Sequence, residues 1–303
     1  MTELPTELRR GLVGFGDDGR RWVEELPGRV ERLRRRWGLD LGPPFEPGGV
    51  TSWVAPAGTD AVLKVVVPHR EADHEAAALR AWDGTGAVRL LDEDPGENAL
   101  LLERCRPGTA LRLAGRPDDE VLDTAVTTAA RLWRPVAAAE PYERLADVMA
   151  EWAELVEDRA QHHAVPLAPE LVVEGAALLR RLPVTADREV LLHGDLHPAN
   201  LLAAEREPWL AIDPKPVRGD PAFDLPPLVL QTGDLLGAAD PAAELDRRLR
   251  RVSAASGVDV DRIRAWGLAR SVEVAVWTEA VGLPEPHLDA AAWARLLAYG
   301  AAP

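Results

Sequence analysis

Trp22, Val23, Leu26, Val30, Leu33 and Trp37 recur at three-to-four spacing with charges between them, the period of an amphipathic helix. The first forty residues are therefore expected to form a packing helix pair. From Leu41 to Val67 the texture changes to Pro, Gly and β-branched residues, and the runs VTSWVA and AVLKVVV around a PAGTD turn predict a hairpin. An Ala-rich helix, HREADHEAAALRAW, follows, and then two short apolar strands, AVRLL at 87–91 and ALLLE at 99–103. Pro107 and Gly108 break any regular element after ERCR. Beyond them the pattern is helical near 117–137, 143–160, 168–181, 239–254, 258–280 and 286–298, interrupted only by short apolar runs and polar loops between 189 and 213. The expectation is an α+β protein of two lobes: residues 1–104, mixed helix and sheet, and residues 105–303, mostly helical.

Composition narrows the function. With 47% hydrophobic and 28% charged residues the chain is globular in character, and no run approaches the ~18 apolar residues a membrane helix needs. The opening MTELPTELRR has no apolar stretch of the secretory kind, so a cytoplasmic location is expected. One cysteine, Cys105, forbids an internal disulfide and a Cys-based zinc site. A net charge of −15 repels phosphate backbones, which argues against nucleic acid as a partner and favours a cationic small molecule. The segment Arg29, Arg32, Arg34, Arg35 and Arg36 reads as a solvated helix face lined by Glu25 and Glu31 rather than a basic patch. The chain holds 33 Arg and only two Lys, Lys64 and Lys215. Since Arg is a planar fork and Lys a compact point charge, a lysine kept against this bias marks a position where the fork does not serve.

The densest chemistry lies between Val190 and Leu225: HGDLHPAN at 193–200, AIDPK at 211–215 and GDPAFDL at 219–225. Asp195 precedes Asn200 by five positions, and Asp213 closes the apolar run Trp209, Leu210, Ala211, Ile212. That spacing resembles the kinase catalytic loop and the metal-binding Asp after it. The HGDLHPxN form looks like that of aminoglycoside phosphotransferases and related small-molecule kinases. With IDPK and GDPAFD, the ensemble over residues 50–225 resembles the streptomycin 6-kinase and hydroxyurea phosphotransferase family of antibiotic-resistance kinases.

The resemblance implies a bilobal protein-kinase-like fold, with a small β-rich, nucleotide-binding N-lobe and a large, mostly helical C-lobe. It also implies ATP as co-substrate and Mg²⁺ as cofactor. Asp195 would orient and accept the proton of the attacking hydroxyl, while Asn200 and Asp213 would ligate Mg²⁺, a hard cation suited to oxygen donors. Lys64 would hold phosphates, paired with Glu75 or, as second choice, Glu71 on the same helical face. Backbone groups near Glu103, Arg104 and Cys105 would bind the adenine, with Cys105 a small buried apolar residue that is not reactive. Pro47, Gly48 and Gly49 precede Val50, Thr51 and Ser52 without a G-x-G-x-x-G, so the phosphate-covering loop is the poorest match. His193 and His197 read as loop supports. The rival reading, His193, Asp195 and His197 as ligands of a metallohydrolase, lacks further ligands, since His69, His74, His162, His163 and His287 stand near no acidic motif. Asp220 with Pro221 starts a helix, Asp224 would brace the catalytic loop, and Lys215 is assigned only as a local partner of Asp213 or Asp220. The implied acceptor is a small hydroxylated cation such as streptomycin at its 6-hydroxyl. The alternatives are another metabolite, hydroxyurea, or a silent binding protein. Glu273, Trp277 and Glu279 are candidates for a cation wall, with Trp277 read as core.

Overall fold

The computed structural model describes residues 3–137, 139–282 and 289–299. His287 and the start expected for the last helix lie outside them. The chain forms two compact units, Met1–Gly108 with Ala203–Leu210, and Thr109–Leu202 with Ala211–Pro303.

In the first unit α1 (Thr6–Gly11) and, after a 3₁₀ turn, α2 (Gly16–Trp37) precede a sheet of β1 (Ser52–Ala57), β2 (Ala61–Val66), β3 (Leu90–Asp94) and β4 (Ala99–Glu103), with α3 (Glu75–Trp82) between β2 and β3. The order is β1-β2-β4-β3, antiparallel throughout. Period-two alternation gives the sheet two distinct faces. Trp53, Ala55, Leu63, Val65 and Val67 pack with Leu8, Leu12, Trp22, Leu26 and Leu33 of the helix pair into one core. Lys64, between Leu63 and Val65, therefore takes the opposite face of a central strand.

Two details depart from the sequence pattern. The third strand covers 90–94 rather than 87–91. Its register is set by the turn that follows, where Glu97 N–H donates to Asp94 Oδ1 at 3.2 Å and Asp94 comes opposite Ala99, and not by the apolar run. Residues 41–45 also lie beside β1: Leu41 bridges Ala57, and Phe45 N–H donates to the Val54 carbonyl at 2.9 Å. Pro47-Gly48-Gly49 thus joins two extended segments. The arginine-rich face of α2 is paired throughout. Arg29 and Arg32 reach Glu97, Arg36 reaches Asp94, and Arg34 and Arg35 share Glu31.

The second unit runs α4 (Asp118–Leu132), α5 (Leu145–His162), α6 (Pro169–Val184), β5 (Val190–Leu192), β6 (Leu201–Ala203), β7 (Trp209–Ala211), β8 (Val217–Gly219), α7 (Pro226–Leu230), α8 (Pro241–Ser256), α9 (Val260–Val281) and α10 (Ala290–Tyr299). The tip of the β6–β7 hairpin, 203–210, is counted with the first unit. Asp240 and Asp259 cap α8 and α9 by accepting the N–H groups of Ala243 and Arg262. Helix α9 is buried around most of its girth, and α6 meets it at Gly175, where a Cβ would fall 2.6 Å from Val272 Cβ. Among the described residues no helix is long and apolar enough to cross a membrane.

Candidate active site

In the first unit Lys64 Nζ donates to both carboxylate oxygens of Glu75, at 2.7 and 2.8 Å. Both side chains are buried, Lys64 at 5% and Glu75 at 3% exposure, so Lys64 is not a surface lysine. Glu71 does not share that helix; it sits in the 3₁₀ turn Arg70–Ala72 ahead of α3. Removing one partner of such a pair strands a buried charge, at a cost of about 3–5 kcal/mol.

Glu103 ends β4 opposite Ala61, three positions from the Lys64–Leu100 pair. Its N–H donates to the Arg89 carbonyl and that of Arg104 to the Asp60 carbonyl, while the Cys105 amide makes no hydrogen bond among the described residues. The Glu103 carboxylate is taken by Arg206, whose Nε and Nη2 donate at 2.8 and 2.9 Å, and by the Arg89 N–H. Arg206 also donates to the carbonyls of Gly84 and Ala87, so one guanidinium ties the hairpin tip to the end of β4. No motif in the sequence marks Arg206. Burial, reinforced by the negative charge of Glu103, pushes the Cys105 thiol up to about 12.

In the second unit the HGDLHPAN loop is held from three sides. Asp224, fully buried, accepts the N–H groups of His193 at 3.1 Å and Gly194 at 2.9 Å, and the indole N–H of Trp133 at 3.1 Å. His193 Nε2 lies 3.0 Å from the Ile212 carbonyl, and its Nδ1 accepts the Asp195 N–H at 3.3 Å. An acceptor Nδ1 requires the neutral ring, and burial pushes its pKa down. His197 Nδ1 accepts the Ala199 N–H at 3.2 Å, and burial likewise lowers its pKa. With three of these four ring nitrogens so engaged, His193 and His197 do not form an available ligand pair, which leaves the metallohydrolase reading without its ligands. Asp220 caps a 3₁₀ turn, Pro221–Asp224, rather than a long helix, and also accepts from Arg262 and Trp266.

Asn200 Nδ2 donates to the Asp195 carbonyl at 2.9 Å, which leaves its Oδ1 as the outward acceptor. The Ile212 N–H donates to the Asn200 carbonyl at 3.0 Å, so the residue before Asp213 is bonded to Asn200. Asp213 itself is left-handed, at φ 58, a conformation that Asp tolerates better than most residues. A neutral amide oxygen and a carboxylate on adjoining backbone are a fitting donor set for Mg²⁺, which takes one or two protein oxygens and keeps waters. Lys215 Nζ donates to Asp195 Oδ2 at 2.8 Å, a partner the sequence did not name. Burial alone would raise the Asp195 pKa. The Lys215 ammonium outweighs it and holds the carboxyl well below the usual carboxylate range. Trp277 is half-buried and not core, Glu273 is half-buried, and Glu279 is exposed.

A four-stranded unit with a buried Lys–Glu pair and a helical unit carrying an H-G-D loop define a protein-kinase-like fold. A choline kinase from Streptococcus pneumoniae shares it, with a TM-score of 0.61 at 15% identity over 89% of this chain and 98% of that one. The chain belongs to the aminoglycoside/hydroxyurea antibiotic resistance kinase family, whose pattern matches residues 47–282. A hydroxyurea phosphotransferase from Kitasatospora aureofaciens is 38% identical over 301 residues, 96% of this chain and 85% of that protein. A streptomycin 6-kinase from Streptomyces glaucescens is 35% identical over 283 residues, 91% of each. The chain is therefore an enzyme of the kinase class.

Proposed function

We propose that this enzyme transfers the γ-phosphoryl group of ATP to a hydroxyl of a small cationic acceptor of the streptomycin type, at the 6-hydroxyl. The observation that carries the reading is the Asp195 carboxylate, fixed by a loop whose amides are pinned to buried Asp224 and joined through Asn200 to the Asp213 strand end. Phosphoryl transfer is chiefly positioning and charge neutralisation, and this arrangement supplies both. Asp195 orients the acceptor hydroxyl and takes its proton. Lys64, held by Glu75, neutralises the non-transferred phosphates, and the Cys105 amide is available to the adenine edge. Asn200 and Asp213 would hold Mg²⁺, which supplies charge on the phosphates. The acceptor oxygen–Pγ bond forms as the bond from Pγ to the β,γ-bridging oxygen breaks, and its electron pair leaves with ADP.

The streptomycin reading is supported by the relative above and by the −15 charge, which concentrates cations. A second reading, transfer to hydroxyurea, is favoured by the relative at 38% identity; a kinase of another small metabolite is the third. A panel of streptomycin, other aminoglycosides, hydroxyurea and neutral sugars, with Mg-ATP at low and high NaCl and the product located by NMR, decides among them. We expect phosphorylation of streptomycin at the 6-hydroxyl, with kcat/KM falling as salt shortens the screening length to ~8 Å near physiological strength. Turnover of hydroxyurea alone, insensitive to salt, would replace the acceptor and keep the kinase reading. No transfer to any cationic aminoglycoside would overturn the streptomycin assignment.

A further inference from the structure

Lys215 has more built around it than a surface ion pair needs. Its neighbours Pro214 and Pro216 are both buried, and a residue between two prolines is confined to extended backbone. Its N–H donates to the His193 carbonyl at 2.8 Å. Its own carbonyl oxygen lies where a Cβ on Gly194 would come within 1.9 Å, so only glycine lets the two strands of chain approach this closely. The backbone is therefore locked onto the loop on both sides, and the side chain leaves it to meet Asp195 at 2.8 Å with 35% of its surface exposed. The lysine is fixed at its root and open at its head.

The loop brings no other cation of its own to this carboxylate, although the charge of Arg270 on α9 also acts on it. His197, the nearest ring at 3.9 Å, is bound through Nδ1 as an acceptor and is neutral. The composition points the same way. Of 35 basic side chains only Lys64 and Lys215 are lysines, and each is seated on a carboxylate of the proposed machinery, whereas the structural pairs elsewhere are made by arginines. A planar fork would engage Asp195 with two parallel bonds and hold it, while a compact ammonium can be shared with a second anion.

We infer that Lys215 is a catalytic residue of the transfer, its ammonium shared between Asp195 and the phosphoryl group in flight. This rests on the reading of Asp195 given above. Before transfer Lys215 keeps the carboxylate charged and oriented. As the acceptor oxygen bonds to Pγ and its proton passes to Asp195, the carboxylate loses its charge and the ammonium is released to the phosphoryl oxygens. The interaction is thus strongest late in the step and not with bound substrate, which is the condition for raising kcat.

The test compares the unaltered enzyme with Lys215→Ala and Lys215→Arg, with Mg-ATP and, in parallel, streptomycin and hydroxyurea as acceptors. The readouts are kcat, both KM values, and recovery of Lys215→Ala by added methylamine or ethylamine. We expect kcat to fall about 10²-fold in Lys215→Ala with each KM within about threefold, as for loss of one transition-state donor. Lys215→Arg should stay low, and the amines should restore part of the Lys215→Ala rate; a misfolded protein cannot be rescued in this way. A kcat within about threefold of the unaltered enzyme, a loss confined to KM, or no recovery with either amine would overturn the proposal. Absence of transfer by the unaltered enzyme to both acceptors would instead count against the acceptor readings above, and the same comparison of Lys215 variants would then be read on transfer from Mg-ATP to water.

Discussion

Gly194 sits at φ 83, and the space where a side chain would begin is taken by the Lys215 carbonyl. Gly194→Ala therefore meets two penalties at once, an unfavourable backbone and a main-chain collision that no rotamer relieves. We expect a Tm several degrees lower and a kcat reduced at least tenfold, because relief requires the loop or the Pro214–Pro216 strand to move and either motion displaces Asp195; unchanged kcat would show that the loop is not registered through this contact. The sequence named Asp195, Asn200 and Asp213 by spacing, because catalytic-loop geometry is local and leaves a periodic mark. It did not name the contact of Lys215 with Asp195, which spans 20 positions and depends on two chain segments meeting at a glycine. The rarity of lysine was the available signal, and it pointed to the position without naming the partner.

Pattern was legible in the elements wherever an apolar stripe ran long. The helices near 118–132, 145–162, 169–184, 241–256 and 260–281 agree with the periodicity to within a few residues, except that α4 stops short of 137. The first unit was less so. The strand at 90–94 was displaced because a tight turn, and not hydrophobicity, sets its register. The segment 41–45 beside β1 was missed because Pro and Gly obscure its alternation. Arg206 illustrates a third kind of loss: it lies in a hairpin 103 positions from Glu103, and only the fold shows that it fixes the end of β4. Arg206→Met leaves Glu103 with one N–H partner in place of three, a deficit of about 1–3 kcal/mol. We expect KM for ATP to rise several-fold with kcat little changed, read by steady-state kinetics at varied ATP. An unaltered KM would detach this tether from nucleotide binding.

Each unit of the molecule holds one half of the proposed chemistry: the Lys64–Glu75 pair in Met1–Gly108 with Ala203–Leu210, and the Asp195 cluster in Thr109–Leu202 with Ala211–Pro303. On the proposed reading Asp195 acts on the acceptor hydroxyl and not on the nucleotide, so its loss should separate transfer from ATP binding. A general base or orienting carboxylate contributes about 10²–10⁴-fold to rate without touching the nucleotide. The most direct measurement is a single-turnover assay of γ-³²P transfer from ATP to streptomycin by the unaltered enzyme and by Asp195→Asn, with ATP affinity determined on the same samples by calorimetry. Transfer reduced about 10²-fold or more in Asp195→Asn at nearly unchanged ATP affinity is the result expected; transfer within a few-fold of the unaltered enzyme would contradict the assignment of Asp195 and with it the account of the site.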